Sequence, residues 1–270
     1  MLASLIALGG CATAMPAMSG GSTTPKNRTD LALGGAARVP LGELRDPAVL
    51  DPGESQYRYA SDAGGVVPMA YGRYGIAKNW DLGLMVSGAN VRVEARYEKV
   101  LSEGTTRSSL VVGLAPYGGW IPDRDQSGSG GRVGFEVPFV YGVDFGGIYE
   151  LWFGARGSGE YVFGDFQVSG AEQRASGAGI RAGPVIGMAL GVRRIHALVE
   201  LTAAYEYWFI DHAGVTLNRG CFVLIPAYGL RKRLKSGEHT APLARRAHAD
   251  LVRSDLPSLG RIHRRIYGAG

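Results

Sequence analysis

The sequence predicts an antiparallel transmembrane β-barrel of about ten strands, with eight or twelve strands as the alternatives. Apolar and polar residues alternate over long stretches, which gives each strand one apolar face. No stretch approaches the roughly 18 uncharged apolar residues of a membrane-spanning helix. The chain also holds 42 glycines in 270 residues, scattered among aromatic and aliphatic residues, which is typical of strands that bend and pack closely.

The first residues indicate export and a lipid anchor. Residues 1–10 contain the short apolar run LASLIAL and read as a signal-peptide-like segment that leads to Cys11. The quartet Leu8-Gly9-Gly10-Cys11 resembles the lipobox of bacterial lipoproteins, and this resemblance implies acylation of Cys11 and insertion of the acyl chains into a bilayer. Because Ala12 and not Asp follows, the resemblance also implies sorting to the outer membrane. Residues 11–29 are small and polar and predict a flexible, lipid-proximal tether.

The body of the chain, residues 30–234, consists of segments with a period of two. Between 132 and 145, every second residue is Val, Phe or Tyr, and most residues between them are small or polar. Aromatic residues gather near the predicted strand ends, as in the interfacial girdles of membrane barrels. The ten predicted strands are 30–41, 65–77, 81–89, 91–101, 107–121, 132–145, 148–165, 176–192, 195–210 and 215–233.

The predicted connections alternate in length. Short turns near 78–79, 102–105, 146–147 and 193–194 would lie at one end, and longer loops at 43–63, 122–131 and 166–175 at the other. An even number of strands puts the two ends of the barrel chain on the same side, and short turns are typical of the periplasmic side. We therefore expect both termini in the periplasm.

Two segments, RYGIAKNWDLGLMV (73–86) and LIPAYGLRKRL (224–234), resemble small bacterial outer-membrane barrels as a general class. The likeness is one of general sequence pattern over about 200 residues. Because it includes no diagnostic motif, it implies a class of proteins and not a family. It implies a Gram-negative outer-membrane location and a partner in membrane lipid.

Charged residues occupy the polar face of several predicted strands. In a narrow barrel these side chains should pair with one another across the lumen, because an unpaired buried charge is costly. The alternative is a charged constriction in a narrow solute or ion channel. The predicted lumen charge network comprises Arg92, Glu94, Arg96, Glu98, Glu136, Arg156, Glu160, Arg181, Glu200 and Glu206.

No catalytic constellation emerges from the sequence, so we predict no enzyme activity and no cofactor. Asp123, Asp125 and Ser127 match the opening of a calcium loop, but Gly134 stands where the bidentate glutamate belongs, and an ordinary surface loop is favoured over a metal site. Asp211-His212 resembles the Asp/His pair of omptin-type outer-membrane proteases, although adjacent strand residues point to opposite faces. An outer-membrane hydrolase is therefore kept only as an alternative.

The sequence predicts a structural or surface-interaction role, with an extracellular partner bound through the long loops. Residues 235–270 form a basic tail, expected in the periplasm and solvated. Nothing in this tail indicates nucleic-acid binding. A soluble periplasmic lipid-binding barrel is a further alternative, and it would reverse the faces and bury the aromatic residues inside.

Overall fold

The described residues form one closed antiparallel barrel. The computed structural model describes residues 15–18, 20–41, 65–121, 128–168, 171–192, 194–212 and 215–235. Within this part of the chain, no helix is long and apolar enough to cross a membrane. Each strand pairs with its neighbours in sequence, and β1 lies beside β10 to close the barrel. The strands are β1 (Arg28–Leu41), β2 (Gly65–Ala77), β3 (Trp80–Ser87), β4 (Asn90–Ser102), β5 (Thr106–Ile121), β6 (Gly128–Phe145), β7 (Tyr149–Val168), β8 (Ala171–Val192), β9 (Ile195–His212) and β10 (Val215–Lys235).

The predicted fold class, an antiparallel barrel of about ten strands, is confirmed. Two predicted loops are wrong in extent. Residues 128–131 are strand because β6 begins at Gly128, and most of 166–175 is strand because β7 ends at Val168 and β8 begins at Ala171. Their ladder pairs Ser129 with Asp165 and Asp165 with Arg174. Backbone hydrogen bonds extend a hairpin whatever the side chains are, so polar composition alone did not mark the end of these strands.

The two ends of the barrel differ. We call the end that holds the connections 78–79, 103–105, 146–148 and 193–194, together with the start of β1 and the end of β10, the turn end. Gly146 and Gly147 both have positive φ, +64° and +73°, in the tight turn between β6 and β7. The opposite end, which we call the loop end, holds the connections 42–64, 88–89, 122–127, 169–170 and 213–214. The predicted loop 43–63 and the tail from residue 236 onward lie outside the described residues.

The exterior of the barrel is apolar and the interior is polar. On β3, Leu82, Leu84 and Val86 point outward with about half of their surface exposed, whereas Asp81 and Ser87 are fully buried inside. Exposed aromatic side chains lie near both ends: Trp80, Tyr97 and Phe145 near the turn end, and Trp120, Tyr161, Phe163, Tyr205, Phe209 and Phe222 near the loop end. This orientation contradicts the alternative of a soluble periplasmic lipid-binding barrel, in which these aromatic residues would be buried inside.

Candidate functional site in the barrel lumen

The lumen brings the predicted charge network together. Side chains of all ten predicted residues are buried or nearly so. Because neighbouring lumen residues are two positions apart on each strand, the charges form layers along the barrel axis. Three layers are distinguished by the ion pairs that they contain: one near the loop end, one in the middle and one near the turn end.

In the loop-end layer, Glu206 is shared by two guanidinium groups. Arg38 Nη2 donates to Glu206 Oε2 at 2.5 Å, and Arg181 Nε donates to Oε1 of the same carboxylate. Arg181 also lies 3.5 Å from Glu160, which is 3.5 Å from Arg132. All of these side chains are at most 7% exposed. Charges this deep in a protein are stable only when they are paired, and each of them has a partner here.

The middle layer is centred on Glu136. Its two carboxylate oxygens accept from Arg92 Nη1 at 3.2 Å and from Arg156 Nη2. Arg73 donates to Glu94 at 2.9 Å, and Arg92 lies 3.9 Å from the same Glu94 oxygen. Arg92 therefore lies between the carboxylates of Glu94 and Glu136, and each of these carboxylates also pairs with a second arginine.

The turn-end layer includes residues that the sequence reasoning missed. Arg96 donates two hydrogen bonds to Asp81, at 2.9 Å and 2.5 Å. Glu150 Oε2 accepts from Arg231 at 2.6 Å and from Arg233 at 3.1 Å. Asp81, Glu150 and Arg231 occupy inward positions in the period-two pattern of their strands, so the alternation itself carried the signal that could have found them.

Tryptophan side chains also enter the lumen, and glycines of β8 make room for them. Trp208 donates from Nε1 to Glu206 at 3.3 Å, and Trp152 donates to Glu200 at 3.1 Å. A Cβ on Gly179 would lie 2.8 Å from the ring of Trp208. A Cβ on Gly187 would likewise lie 2.3 Å from the ring of Trp152, so these two glycines of β8 make room for the two indole rings.

The N-terminal part of the described chain runs inside this lumen. We call residues 15–18 and 20–24 the lumen segment. Met15, Ala17, Met18, Thr23 and Thr24 are each at most 5% exposed. A flexible tether was expected for 11–29, and the described part of that range differs from the expectation. Ten strands enclose a wider space than the eight whose side chains just fill a barrel, and a length of main chain occupies the additional room.

Arginine side chains bind the carbonyl groups of residues 15–17. Arg156 Nη2 donates to the carbonyl oxygen of Met15 at 2.6 Å. Arg92 donates to Pro16 O at 2.8 Å and to Ala17 O at 2.6 Å. The same guanidinium groups that pair with Glu136 thus hold the main chain with charge-assisted hydrogen bonds, which are the stronger kind.

Carboxylates bind the amide groups that follow. The amide of Gly21 donates a hydrogen bond to Glu150. Thr23 donates two hydrogen bonds to Glu98, one from its amide and one from its hydroxyl, and the hydroxyl bond is 2.6 Å long. Hydrogen bonds to an ionised acceptor inside a protein are worth more than those between neutral groups. Four main-chain amides donate to carboxylates: Met18 N to Glu200 at 2.7 Å, Gly21 N to Glu150 at 2.7 Å, Thr23 N to Glu98 at 3.1 Å and Thr24 N to Asp81 at 2.7 Å.

Recognition of the lumen segment is directed at its backbone. Apart from the bond of the Thr23 hydroxyl, the hydrogen bonds described above involve peptide N–H and C=O groups of the segment. Gly21 lies directly on Gly142 of β6, where a Cβ on Gly21 would be 2.6 Å from Gly142 Cα. Two glycines are therefore required at this crossing, since either side chain would separate the segment from the wall. The arrangement therefore holds a short length of main chain through its peptide groups, with glycine at the closest approach to the wall.

Several predicted candidates cannot be placed. Cys11, Asp123, Asp125 and Ser127 lie outside the described residues, as do the side chains of Asp211 and His212, whose backbone ends β9. His196 is described, and its Nε2 lies 2.8 Å from the carbonyl oxygen of Gly147, which fixes the ring against the β6–β7 turn.

No family model matches the chain, and no curated protein matches it. The outer membrane protease OmpT from Escherichia coli is similar in structure, with 7% identity, a TM-score of 0.41, and coverage of 78% of this chain and 98% of that one. The attachment invasion locus protein Ail of Yersinia pestis, in complex with the heparin analogue sucrose octasulfate, has 9% identity, a TM-score of 0.34 and coverage of 77% and 98%. Neisserial surface protein A has 15% identity, a TM-score of 0.27 and coverage of 77% and 97%. These neighbours belong to the class predicted from the sequence, bacterial outer-membrane barrels, and no specific family is identified.

Proposed function

We propose that this protein is an integral barrel of the bacterial outer membrane, closed by its own N-terminal segment, with a structural or surface-interaction role. The observation that supports a closed barrel is the lumen segment itself. Its carbonyl groups are held by Arg92 and Arg156, and its amides by four buried carboxylates. A barrel filled in this way suits an anchor for loops and tethered segments better than a pathway for solutes.

The exterior supports membrane insertion. Exposed leucine, valine, isoleucine and phenylalanine side chains follow one another along the outward face of successive strands. Soluble monomers rarely expose contiguous apolar patches larger than a few hundred Å². Lipid is a suitable surrounding for such a surface, and each of the ten described strands is paired on both sides in the closed barrel.

A narrow channel is the second candidate. It is favoured by the ring of charged residues in the lumen, which could select among ions if the lumen segment moved out. In the described arrangement, however, Arg92 and Arg156 both donate to carbonyl groups of that segment. The channel predicts a resting ion conductance that changes when either arginine is replaced, and the closed barrel predicts none.

We also propose that Cys11 carries a lipid anchor, as its lipobox-like surroundings suggest, and this anchor and the membrane location can be tested together. Cells grown with labelled palmitate would be fractionated and extracted with carbonate, comparing wild type with Cys11→Ala. Cys221→Ala is a matched control, because Cys221 is a cysteine buried in β10. We expect label in the wild type and in Cys221→Ala but not in Cys11→Ala, with all three in the carbonate-resistant outer membrane. Release of Cys11→Ala as a soluble protein would contradict membrane integration by the barrel.

A further inference from the structure

Exposed charge is unevenly divided between the two ends of the barrel. At the loop end, the described exposed charges are Asp165 and Arg174, which lie 3.6 Å apart and offset each other. At the turn end, the described exposed charges are mostly basic. They are Lys26, Arg28, Lys78, Lys99 and Lys232, against Glu103. This end therefore carries an excess of positive charge, which attracts anionic partners.

Carboxylates of the neighbouring strands do not neutralise this excess, because they already pair with arginines. Glu98 of β4 lies 2.8 Å from Arg107, and Asp81 of β3 lies 2.5 Å from Arg96. Both carboxylates are at most 1% exposed inside the barrel. The exposed lysines on the outside of the same strands therefore remain available to a ligand.

The basic residues of β2–β4 lie beside an aromatic pair on the outer wall. Trp80 of β3 and Tyr97 of β4 are partners in the sheet, with ring centroids 5.1 Å apart. Lys99 is the next outward residue of β4 toward the turn end. The amide of Glu98 donates to Asn79 O at 2.9 Å. The turn between β2 and β3 therefore lies against β4, beside Lys99.

The residues just before β1 extend this region. Tyr74, exposed on β2, donates from its hydroxyl to Asn27 Oδ1 at 3.4 Å, and the amide of Asn27 donates to Gly75 O at 2.8 Å. Asn27 stands between Lys26 and Arg28, which are both exposed. We call the whole region the basic patch, and its residues are Lys26, Arg28, Tyr74, Lys78, Trp80, Tyr97 and Lys99.

The outer wall at the basic patch presents three kinds of group in a fixed order. On β4, Lys99 is followed toward the middle of the barrel by Tyr97 and then by Ala95 and Val93, at steps of about 7 Å. Leu82, the partner of Ala95 on β3, is also exposed. Tryptophan and tyrosine are enriched at the level of lipid headgroups. The order cation, aromatic ring, aliphatic side chain thus matches phosphate, glycerol and acyl chain in a glycerophospholipid.

We propose that the basic patch binds the headgroup of phosphatidylglycerol in the leaflet at the turn end. This rests on the proposed function, since the barrel must lie in a bilayer. Lys78 and Lys99 contact the phosphate, and an acyl chain follows Leu82. The lipid is anionic because the patch has four cationic side chains, and a zwitterionic headgroup brings a cation of its own. Each basic residue near an anionic lipid surface strengthens the attraction about fivefold.

The tryptophans of the chain allow this to be measured at each end of the barrel separately. Of the four tryptophans, Trp80 in the patch and Trp120 near the loop end are 44% and 57% exposed, whereas Trp152 and Trp208 are each 1% exposed in the lumen. The variant Trp120→Phe therefore reports from the basic patch. The variant Trp80→Phe reports from the opposite end of the same barrel.

Each full-length variant would be folded into vesicles of phosphatidylcholine that contain a rising fraction of phosphatidylglycerol. Bromine atoms on the acyl chains of one lipid at a time quench the fluorescence of an indole that they contact. The two quenching curves give the binding constant of phosphatidylglycerol relative to phosphatidylcholine around each tryptophan. Because both leaflets have the same composition, the direction of insertion does not affect the result.

We expect a relative constant of at least about five at Trp80 and near one at Trp120, and a fall of at least about fivefold at Trp80 in Lys78→Gln, Lys99→Gln. The matched control, Arg174→Gln at the loop end, should leave the constant at Trp80 unchanged. In about 1 M salt, where the Debye length is about 3 Å, the preference should disappear.

Three results would overturn the proposal. A constant near one at both tryptophans, or one at Trp80 that both lysine substitutions leave unchanged, would refute the patch while leaving the membrane barrel intact. A higher constant at Trp120 than at Trp80 would place the anionic contact at the loop end instead. If brominated phosphatidylcholine quenched neither tryptophan, the barrel would not lie in the bilayer, and the proposed function would fail together with the patch.

Discussion

Replacing Arg92 by methionine should release the lumen segment. Arg92 is buried to 1% exposure and donates to two main-chain carbonyls, those of Pro16 and Ala17. Each hydrogen bond to a charged group contributes about 1.5–3 kcal/mol, so that the segment loses about 3–6 kcal/mol of its binding free energy. Because about 1.4 kcal/mol corresponds to a factor of ten, the open fraction should rise by roughly 100-fold to 10,000-fold.

Two features confine the effect to the segment. Glu136 keeps its pair with Arg156, and Glu94 keeps its pair with Arg73, so no carboxylate of the middle layer is left without an arginine. Methionine also fills much of the volume of the arginine stem. We therefore expect the barrel to fold and its strands to stay paired.

Amide hydrogen exchange measures the open fraction directly. In the Arg92→Met barrel, the amides of Met18 and Gly21 should exchange faster by the factor given above, while the strand amides keep their rates. Arg174→Met is the matched control, because Arg174 is 87% exposed and its pair with Asp165 is on the surface, where such pairs contribute about 0–1 kcal/mol. Exchange at these two amides within threefold of wild type would refute the reasoning.

Three further predictions concern the wall of the barrel. Leu84→Arg should lower the free energy of unfolding in lipid vesicles by about 2–4 kcal/mol and Leu101→Arg by only about 0–1 kcal/mol, because the cost of a charge depends on its depth in the bilayer; equal effects would argue against a membrane belt. Gly142→Val should expel the lumen segment and abolish the protection of its amides from exchange. Gly157→Val should leave this protection unchanged, because a Cβ at Gly157 would be 3.9 Å from its nearest atom; equal protection in the two variants would contradict the glycine contact. Glu206→Gln should destabilise the barrel by about 3–5 kcal/mol in denaturant titrations, because it removes a carboxylate shared by two buried arginines; a loss below about 1 kcal/mol would contradict the role of the loop-end layer.

The sequence predicted the barrel well because the period-two pattern acts locally. Val91, Val93 and their neighbours face outward and Arg92 and Glu94 inward, and this division alone establishes which faces meet lipid and which meet the lumen. Asp81 and Glu150 occupy inward positions in the same alternation, so they could have been predicted as lumen residues too. They were missed because each stands beside a turn, where a polar residue has an ordinary explanation.

The lumen segment could not be predicted in this way. Its composition, with Gly20, Gly21, Ser22 and Thr23, is that of a flexible linker. What orders it is a set of charged groups that only ring closure brings together, since Glu98 of β4 and Glu150 of β7 bind residues two positions apart. Backbone recognition leaves almost no mark on the recognised sequence, apart from the small side chains that allow a close approach.

The central claim, that the barrel is closed by its own N-terminal segment, is tested most directly by recording ion currents from the purified protein in planar bilayers. The account predicts that the full chain inserts without stepwise conductance, and that a variant lacking residues 15–24 conducts through a lumen lined by Arg92 and Arg156. A steady conductance in the full chain, equal to that of the deletion variant, would contradict it.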